Sequence, residues 1–268
     1  MKKLIIIAFA LCFSSIFAQE KLILSSDIVP HADTSLVFVP KDYNGTSNYP
    51  LLFMLHGWSG NYNQWNDVTG GLQSYADKYK FIIVCPDGFY DSWYLDSPVK
   101  ANSQFETFFF KTLVPSVFDK YKIDKSRIFI TGLSMGGHGA ITLLLKHPDF
   151  FKSAGSTSGI LDITAFPDRW SMLNALGKYS EKPDNWRKNS ALFLIKNVKG
   201  LDKELIIDCG TEDFAYNVNK AFNEKCIETK IKITFISQPG AHTREYWKNT
   251  IDNHFRFFAR LANVNCGL

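Results

Sequence analysis

The sequence carries little net charge and few cysteines. Its 30 Lys and Arg residues nearly balance 26 Asp and Glu residues, which leaves a formal charge of +4 over 268 residues. Neither a nucleic acid nor a charged membrane surface is therefore an expected partner. No group of His, Asp and Cys residues has the spacing of metal ligands, so we expect neither a metal nor another cofactor.

The first 18 residues have the pattern of a secretory signal peptide. Two lysines precede an apolar run of residues 4–13, and small residues continue to Ala18. The apolar run is too short to span a bilayer comfortably, which argues against the alternative of a membrane anchor. We therefore predict export to the periplasm or the extracellular space, and one mature domain of residues 19–268 without a stable membrane anchor.

The cysteine pattern leaves any disulfide pairing open. Cys12 belongs to the predicted signal, and the other four, Cys85, Cys209, Cys226 and Cys266, permit three pairings if all of them are bridged. Cys85 and Cys209 lie in apolar, strand-like runs and are equally explained as small core residues. The sequence predicts neither a particular disulfide nor an oligomeric state.

Apolar runs of strand length alternate with longer helical patterns along the chain. This order is typical of a mostly parallel β-sheet with helices on both faces. The predicted strands are residues 36–39, 51–55, 81–85, 128–131, 154–157, 205–209 and 231–236. Residues 160–200 fit the pattern poorly, so we predict an insertion over the top of the sheet. Apolar residues at every fourth position predict a helix over residues 105–121, with a kink at Pro115.

The most informative motif is Gly132-Leu133-Ser134-Met135-Gly136, which follows a predicted strand and opens a helical segment. A serine in this context lies on a sharp turn that only small flanking residues permit. Its hydroxyl is exposed, and the positive end of the helix dipole lies beside it. We interpret the motif as a nucleophile elbow and Ser134 as a candidate nucleophile. The alternative is a serine at an ordinary strand-to-helix turn.

The candidate nucleophile needs a base, and the base needs an acid that orients it. Asp213 and His242 each follow a predicted strand, and such loops meet at the carboxyl edge of a parallel sheet. The order Ser134, Asp213, His242 is the order found in α/β-hydrolases, and we predict these residues as the catalytic triad. Glu212 and Asp208 compete with Asp213, but Asp208 alternates into the strand and is interpreted as a solvated or capping residue.

The other histidines of the predicted mature chain are His31, His56, His138, His147 and His254. We interpret His147 as a surface cap and His254 as part of the last helix, so neither has a route to the nucleophile. His138 lies one turn beyond the nucleophile and could line the pocket, but no carboxylate follows it.

The oxyanion of ester hydrolysis needs backbone N–H donors. One is the N–H of Met135, directly after the nucleophile. The other is expected from the loop after an early strand, where Gly57 lets the backbone turn outward and Trp58 presents its N–H. His56 is then structural and bonds loop carbonyls.

Several aromatic residues fall in loops expected near the elbow. Trp58, Trp93, Tyr94 and Trp170 are the candidate substrate-binding residues, because rings with a polar edge suit sugars or phenolic acids. The alternative is that these rings pack the loops against each other.

These motifs resemble the esterase D group of α/β-hydrolases, and the bacterial tributyrin esterases are the most similar branch. The resemblance covers residues 20–262 and rests on residues 56–61, 87–88, 105–108, 132–137, 209–213 and 240–242. It implies Ser134 as nucleophile, His242 as base and Asp213 as its orienting acid. It also implies an oxyanion hole made by the N–H groups of Trp58 and Met135.

The resemblance further implies a serine esterase, and the predicted signal peptide implies that it is secreted. The ordered triad predicts that it acts through an acyl-enzyme. The expected substrates are short-chain acyl esters, or acetyl and feruloyl esters linked to carbohydrate. The predicted signal departs from the related S-formylglutathione hydrolases, which act on a cytosolic thiol conjugate. An acyltransferase and a non-catalytic glycan-binding protein are the alternatives.

Overall fold

An eight-stranded sheet forms the centre of residues 19–264, the part of the chain that the computed structural model describes. The predicted signal segment and Cys266 lie outside these residues. The strands are β1 (Gln19–Leu24), β2 (Asp33–Phe38), β3 (Tyr49–Leu55), β4 (Ile82–Cys85), β5 (Ile123–Gly132), β6 (Ser153–Thr157), β7 (Glu204–Gly210) and β8 (Lys232–Gln238). Their spatial order is β1-β2-β4-β3-β5-β6-β7-β8. Strand β2 is antiparallel to both β1 and β4, and the later neighbours are all parallel.

Helices cover both faces of this sheet. They are α1 (Gln64–Thr69), α2 (Gln73–Tyr79), α3 (Phe105–Phe108), α4 (Val114–Lys120), α5 (Met135–Lys146), α6 (Met172–Leu176), α7 (Pro183–Arg187), α8 (Ala191–Leu194), α9 (Tyr216–Glu228) and α10 (Arg244–Leu261). Along β3, Leu51 and Phe53 join the buried cluster that contains Leu144 of α5, whereas Leu52 joins the cluster that contains Phe255 of α10. This alternation buries both faces and confirms the predicted α/β architecture. No helix within residues 19–264 is long and apolar enough to cross a membrane.

The helix predicted over residues 105–121 is interrupted. A π-helical segment, Phe109–Leu113, separates α3 from α4, and Pro115 lies in the first turn of α4. Because proline has no N–H group, the regular hydrogen-bond ladder cannot continue through it. The helix widens just before the proline, and Ser116 Oγ donates to the carbonyl oxygen of Thr112 over 2.8 Å.

Residues 160–200 form α6, α7 and α8 together with two 3₁₀ turns, Ile163–Ala165 and Ile195–Val198. Side-chain hydrogen bonds fasten this insertion to the rest of the domain. Trp93 Nε1 donates to the carbonyl oxygen of Trp170 over 3.2 Å, and His138 Nε2 donates to that of Asn189 over 2.7 Å. Further bonds, such as that from Ser97 Oγ to the carbonyl oxygen of Ala175 over 2.6 Å, hold the insertion at several points.

The three cysteines within the described residues are buried free thiols. They are Cys85, Cys209 and Cys226. Burial raises the pKa of the Cys226 thiol to about 12. The first two belong to strands of the sheet, which agrees with their interpretation as small core residues.

A fully buried carboxyl group at the start of β2 makes stability depend on pH. Asp33 accepts hydrogen bonds from Ser35 Oγ over 2.7 Å and from the Asp87 N–H over 3.0 Å. Burial raises the pKa of its carboxyl to about 6 from an ordinary 3.8. The folded state therefore favours the protonated form, and the stability that this form contributes is lost as the pH rises from about 4 to about 6.

We expect the free energy of unfolding of the wild type to fall by up to about 3 kcal/mol between pH 4 and pH 7, relative to that of Asp33→Asn. Urea unfolding of both proteins across this range measures the difference. Asp27→Asn, at an exposed position, is the control and should follow the wild type. Parallel pH profiles for the wild type and Asp33→Asn would show that Asp33 is ionised with its ordinary pKa.

Candidate active site

Ser134 lies between the end of β5 and the first residue of α5. Its backbone angles, φ 55° and ψ −117°, are those of a strained non-glycine residue. The turn leaves no room for side chains at its flanks. A Cβ atom on Gly132 would lie 2.2 Å from the carbonyl oxygen of Gly136, and one on Gly136 would lie 2.2 Å from that of Leu55. The turn has the geometry of a nucleophile elbow, which only glycine permits at these two flanking positions.

A continuous hydrogen-bond chain joins Ser134, His242 and Asp213. The Oγ atom of Ser134 lies 3.0 Å from Nε2 of His242, and Nδ1 of His242 lies 3.0 Å from both carboxylate oxygens of Asp213. The Asp213 side chain is fully buried, whereas that of His242 is 19% exposed. Because a carboxylate only accepts, the proton is on Nδ1, and Nε2 is free to accept the serine proton.

Two backbone hydrogen bonds join the loops that carry the acid and the base. The N–H of Thr211 donates to the carbonyl oxygen of Gln238, and the N–H of Glu212 donates to that of Gly240, each over 2.9 Å. Within the acid loop, the N–H of Ala215 donates to Oδ1 of Asp213 over 2.8 Å. The relative position of acid and base is therefore set by the main chain.

The predicted oxyanion loop, residues 56–60, packs directly against the elbow. A Cβ atom on Gly57 would lie 3.4 Å from Cβ of Ser134. The loop is clamped on both sides, because the Gly57 N–H donates to Oε1 of Gln64 over 2.7 Å and His56 Nδ1 donates to the Gly57 carbonyl over 2.7 Å. Burial lowers the pKa of the His56 imidazole to about 4, so this side chain is neutral.

The two predicted oxyanion donors are unengaged. Met135 is the first residue of α5, where the N–H groups of a helix have no acceptor within the helix. Within residues 19–264, neither its N–H nor that of Trp58 donates to a protein acceptor. Both donors are thus available to a substrate oxygen.

A cavity of about 180 Å³ opens above Ser134. Its lining is mainly apolar and aromatic and consists of Gly57, Trp58, Gln64, Trp93, Leu133, Ser134, Trp170, Phe214, His242 and Trp247. Three of the four aromatic residues predicted for substrate binding, Trp58, Trp93 and Trp170, are among them. No Lys, Arg, Asp or Glu side chain of the described residues lines this cavity.

Tyr94 does not line the cavity, although we predicted it as a substrate-binding residue. It is buried to 1% exposure, and its hydroxyl donates to the carbonyl oxygen of His56 over 2.9 Å. Its ring fills the space beside Gly139, where an added Cβ would meet it at 2.5 Å. Tyr94 therefore supports the oxyanion loop from behind, and the neighbouring Trp93 provides the cavity wall.

Phe214 and Trp247 line the cavity but were not among the predicted binding residues. The Phe214 ring lies 4.4 Å from the imidazole of His242 and 5.3 Å from Trp170, with which it stacks. Trp247 contacts the other side of the imidazole edge-on at 5.1 Å. The sequence did contain a signal for both residues. Phe214 directly follows the predicted acid Asp213, and Trp247 lies in the first turn after the predicted base His242.

The interpretation of Asp208 as a solvated or capping residue is wrong. Its side chain is fully buried and accepts hydrogen bonds from His254 Nε2 over 2.6 Å and from Thr157 Oγ1 over 2.7 Å. Among the histidines, His138 does not line the cavity, although its position suggested that it could. His138 is buried with its pKa lowered to about 4 by burial, and His147, half-buried after α5, contacts Glu106 at 2.7 Å.

Comparison with known proteins assigns the chain to a family. It matches the model of the Esterase family, described as "Putative esterase", over residues 26–258. An S-formylglutathione hydrolase from Bos taurus is 27% identical over 244 residues, which cover 82% of this chain and 86% of the bovine protein. An acetyl esterase from Caldicellulosiruptor saccharolyticus is 24% identical over 233 residues, which cover 81% of this chain and 86% of that protein.

The fold is shared with solved esterase structures. A ferulic acid esterase superposes with a TM-score of 0.77 at 24% sequence identity, and the alignment covers 91% of this chain and 97% of that one. The family model spans most of the sequence, and the shared fold agrees with it. This chain therefore belongs to the Esterase family, within the esterase D-like α/β-hydrolases, and is a serine esterase.

Proposed function

We propose that this chain hydrolyses carboxylic esters through an acyl-enzyme on Ser134. The observation that carries the proposal is the unbroken hydrogen-bond chain from Asp213 through His242 to Ser134, with two distances of 3.0 Å to the acid and one of 3.0 Å to the serine. This geometry places the base within reach of the proton that it must remove. The elbow holds the serine hydroxyl at the mouth of the cavity.

In the first step, Oγ of Ser134 attacks the carbonyl carbon of the ester while Nε2 of His242 takes the hydroxyl proton. The carbonyl oxygen becomes an oxyanion, which the N–H groups of Trp58 and Met135 stabilise. The carbon–oxygen bond to the alcohol then breaks, and the alkoxide leaves with the proton from His242. In the second step, His242 takes a proton from water, and the hydroxide attacks the acyl carbon. The bond to Ser134 then breaks, Oγ of Ser134 takes the proton back from His242, and the carboxylic acid is released.

The cavity favours uncharged acyl groups that are either short or flat. Its volume of about 180 Å³ equals roughly six water molecules at about 30 Å³ each. The walls of Trp58, Trp93, Trp170 and Phe214 offer flat apolar surfaces, and no basic side chain of the described residues is present to pair with a carboxylate. We therefore propose short-chain acyl esters, or acetyl and feruloyl esters of carbohydrates, as substrates. The names of the acetyl esterase and ferulic acid esterase relatives support this class.

Export is part of the proposal and rests on the sequence pattern of residues 1–18 alone, since these residues lie outside the described part. The N-terminal sequence of protein recovered outside the cytoplasm tests it. We expect Gln19 as the first residue, and an uncleaved N-terminus would contradict export through a signal peptide.

Initial rates on p-nitrophenyl acetate, butyrate and octanoate, with methyl ferulate alongside, test the proposed function and its substrate class. We expect kcat/KM to be at least about 10-fold higher for butyrate than for octanoate, because a flexible eight-carbon chain cannot stack on the aromatic walls as a planar feruloyl group can, and one excess methylene alone costs about 1–3 kcal/mol. The Ser134→Ala variant separates enzyme turnover from background. Equal rates on all three chain lengths would contradict this preference for the shorter chain.

A matched pair of thioesters tests the expected exclusion of charged substrates. S-formylglutathione carries carboxylates, whereas the S-formyl ester of mercaptoethanol has the same reacting group without charge. We expect kcat/KM to favour the uncharged compound, since the lining contains no Lys or Arg side chain among the described residues. A preference for S-formylglutathione would overturn the proposed substrate class.

A further inference from the structure

A second histidine–carboxylate pair lies buried beneath the nucleophile elbow. Nε2 of His254, on α10, lies 2.6 Å from Oδ2 of Asp208, on β7, and neither side chain is exposed. The remaining polar atoms are also satisfied. Thr157 Oγ1 donates to Oδ1 of Asp208 over 2.7 Å, and Thr131 Oγ1 lies 2.8 Å from Nδ1 of His254. The pair is thus completely hydrogen-bonded within the protein, and neither residue lines the cavity.

One end of this network reaches the nucleophile. The carbonyl oxygen of Thr157 accepts the N–H of Ser134 over 3.0 Å, while the hydroxyl of the same threonine bonds Asp208. Thr131 belongs to β5 and precedes Ser134 by three residues. Thr157 and Thr131 therefore connect the elbow to the buried pair, because each of them bonds one member of the pair.

The other end reaches the base. His242 lies two residues before the first residue of α10, and His254 lies about three turns along that helix. The orientation of α10 sets where the loop with His242 begins. His254 fixes α10 to β5 through Thr131 and to β7 through Asp208.

The fold makes room for the histidine at this place. A Cβ atom on Gly155, in β6, would lie 2.6 Å from Nδ1 of His254 and 2.9 Å from Oγ1 of Thr131. Glycine weakens a strand interior, because it adds no packing and loses more entropy on folding. Its presence here is explained by the close approach of the imidazole to the strand.

We propose that Asp208 and His254 form a positioning pair that holds the distance between Ser134 and His242. The inference rests on the proposed function, since it assigns the pair to the geometry of that same triad. The pair connects the sheet, which positions the nucleophile elbow, with α10, the helix that follows the loop with the base. Loss of this connection misplaces the two reacting groups relative to each other, whereas the cavity walls formed by Trp58, Trp93 and Trp170 lie outside α10 and stay in place.

The test is His254→Phe, which keeps a ring of similar size and removes both hydrogen bonds. We expect kcat for p-nitrophenyl butyrate to fall about 10- to 100-fold with KM within about two-fold of the wild type, because a misplacement on the order of 1 Å costs about 100-fold in rate. Labelling of Ser134 by a fluorophosphonate should slow in parallel. His147→Phe is the matched control, because it removes another histidine–carboxylate pair, with Glu106, and should leave kcat unchanged.

The double variant Asp208→Asn with His254→Phe separates positioning from stability. Asparagine removes the buried charge that His254→Phe leaves unpaired, so the thermal unfolding temperature should recover relative to the single variant. If the pair positions the triad, kcat stays low. Recovery of kcat together with stability would overturn the inference, as would a folded His254→Phe protein with wild-type kcat.

Thr157→Val is the test if both His254 variants fail to fold, because it keeps the side-chain shape and removes the hydroxyl bond to Asp208 over 2.7 Å, together with a longer one to Thr250 over 3.4 Å. An unchanged kcat in this variant would overturn the inference. Turnover that survives in Ser134→Ala would instead defeat the proposed function itself, so the two failures are distinguishable.

Discussion

Ser134→Ala is expected to lower kcat for p-nitrophenyl butyrate by roughly 10⁴- to 10⁶-fold. Alanine fits the elbow but has no hydroxyl, so no acyl-enzyme can form. The residual rate comes from the oxyanion donors and from substrate binding, which the variant retains. Steady-state kinetics of the purified variant measure the effect, and labelling by a fluorophosphonate probe should disappear with it.

Ser126→Ala is the control, because Ser126 is exposed and its side chain bonds only the nearby Asp124. This variant should keep the wild-type kcat. A Ser134→Ala protein that retained more than about one hundredth of the wild-type rate would exclude Ser134 as the nucleophile.

Asp213→Asn is expected to lower kcat by about 10³- to 10⁴-fold while changing KM little. The carboxylate now accepts from Nδ1 of His242 and keeps Nε2 free for the serine proton. An asparagine amide can donate to Nδ1, which moves the imidazole proton to Nε2 and leaves no acceptor facing Ser134. Steady-state kinetics and the rate of fluorophosphonate labelling both report this loss.

Glu212→Gln is the matched control for the acid. Glu212 directly precedes Asp213 but is exposed, and it was the neighbouring candidate in the sequence. We expect wild-type kinetics for this variant. A large loss in Glu212→Gln with little loss in Asp213→Asn would transfer the orienting role to the glutamate.

The elbow could be predicted because its chemistry is local. The strand, the turn at Ser134 and the following helix are contiguous in sequence, and the close contacts at Gly132 and Gly136 explain why small residues flank the serine. Asp213 and His242 were identifiable for a different reason. Both follow strands of one parallel sheet, whose carboxyl ends lie side by side.

The buried polar network could not be predicted, because its members come from separate elements. Asp208 alternates along β7 as a surface residue would, and only the tertiary structure shows that α10 places His254 against it. Strand β1 was missed for a related reason. It is a half-exposed edge strand, Gln19–Leu24, with polar residues in its first half and an apolar run of only three residues in its second.

The cavity lining was predicted only in part. The directions of Trp93 and Tyr94 depend on backbone angles in the left-handed region, with φ values of 53° and 59°, which sequence periodicity does not reveal. These angles turn one ring into the cavity and the other into the core. Trp93 therefore lines the cavity, whereas the neighbouring Tyr94 packs into the core.

The arrangement of the insertion bears on how the substrate preference of this enzyme can be changed. Ser134, Asp213, His242 and both oxyanion donors lie at or beside strand ends, whereas Trp170 is the one residue of the described insertion, 160–200, that lines the cavity. Recombination with the corresponding segment of a related enzyme would exchange one wall of the acyl site and leave the reacting groups in place. Selectivity and rate are thus separable in this chain, and directed evolution of ester preference can begin at position 170.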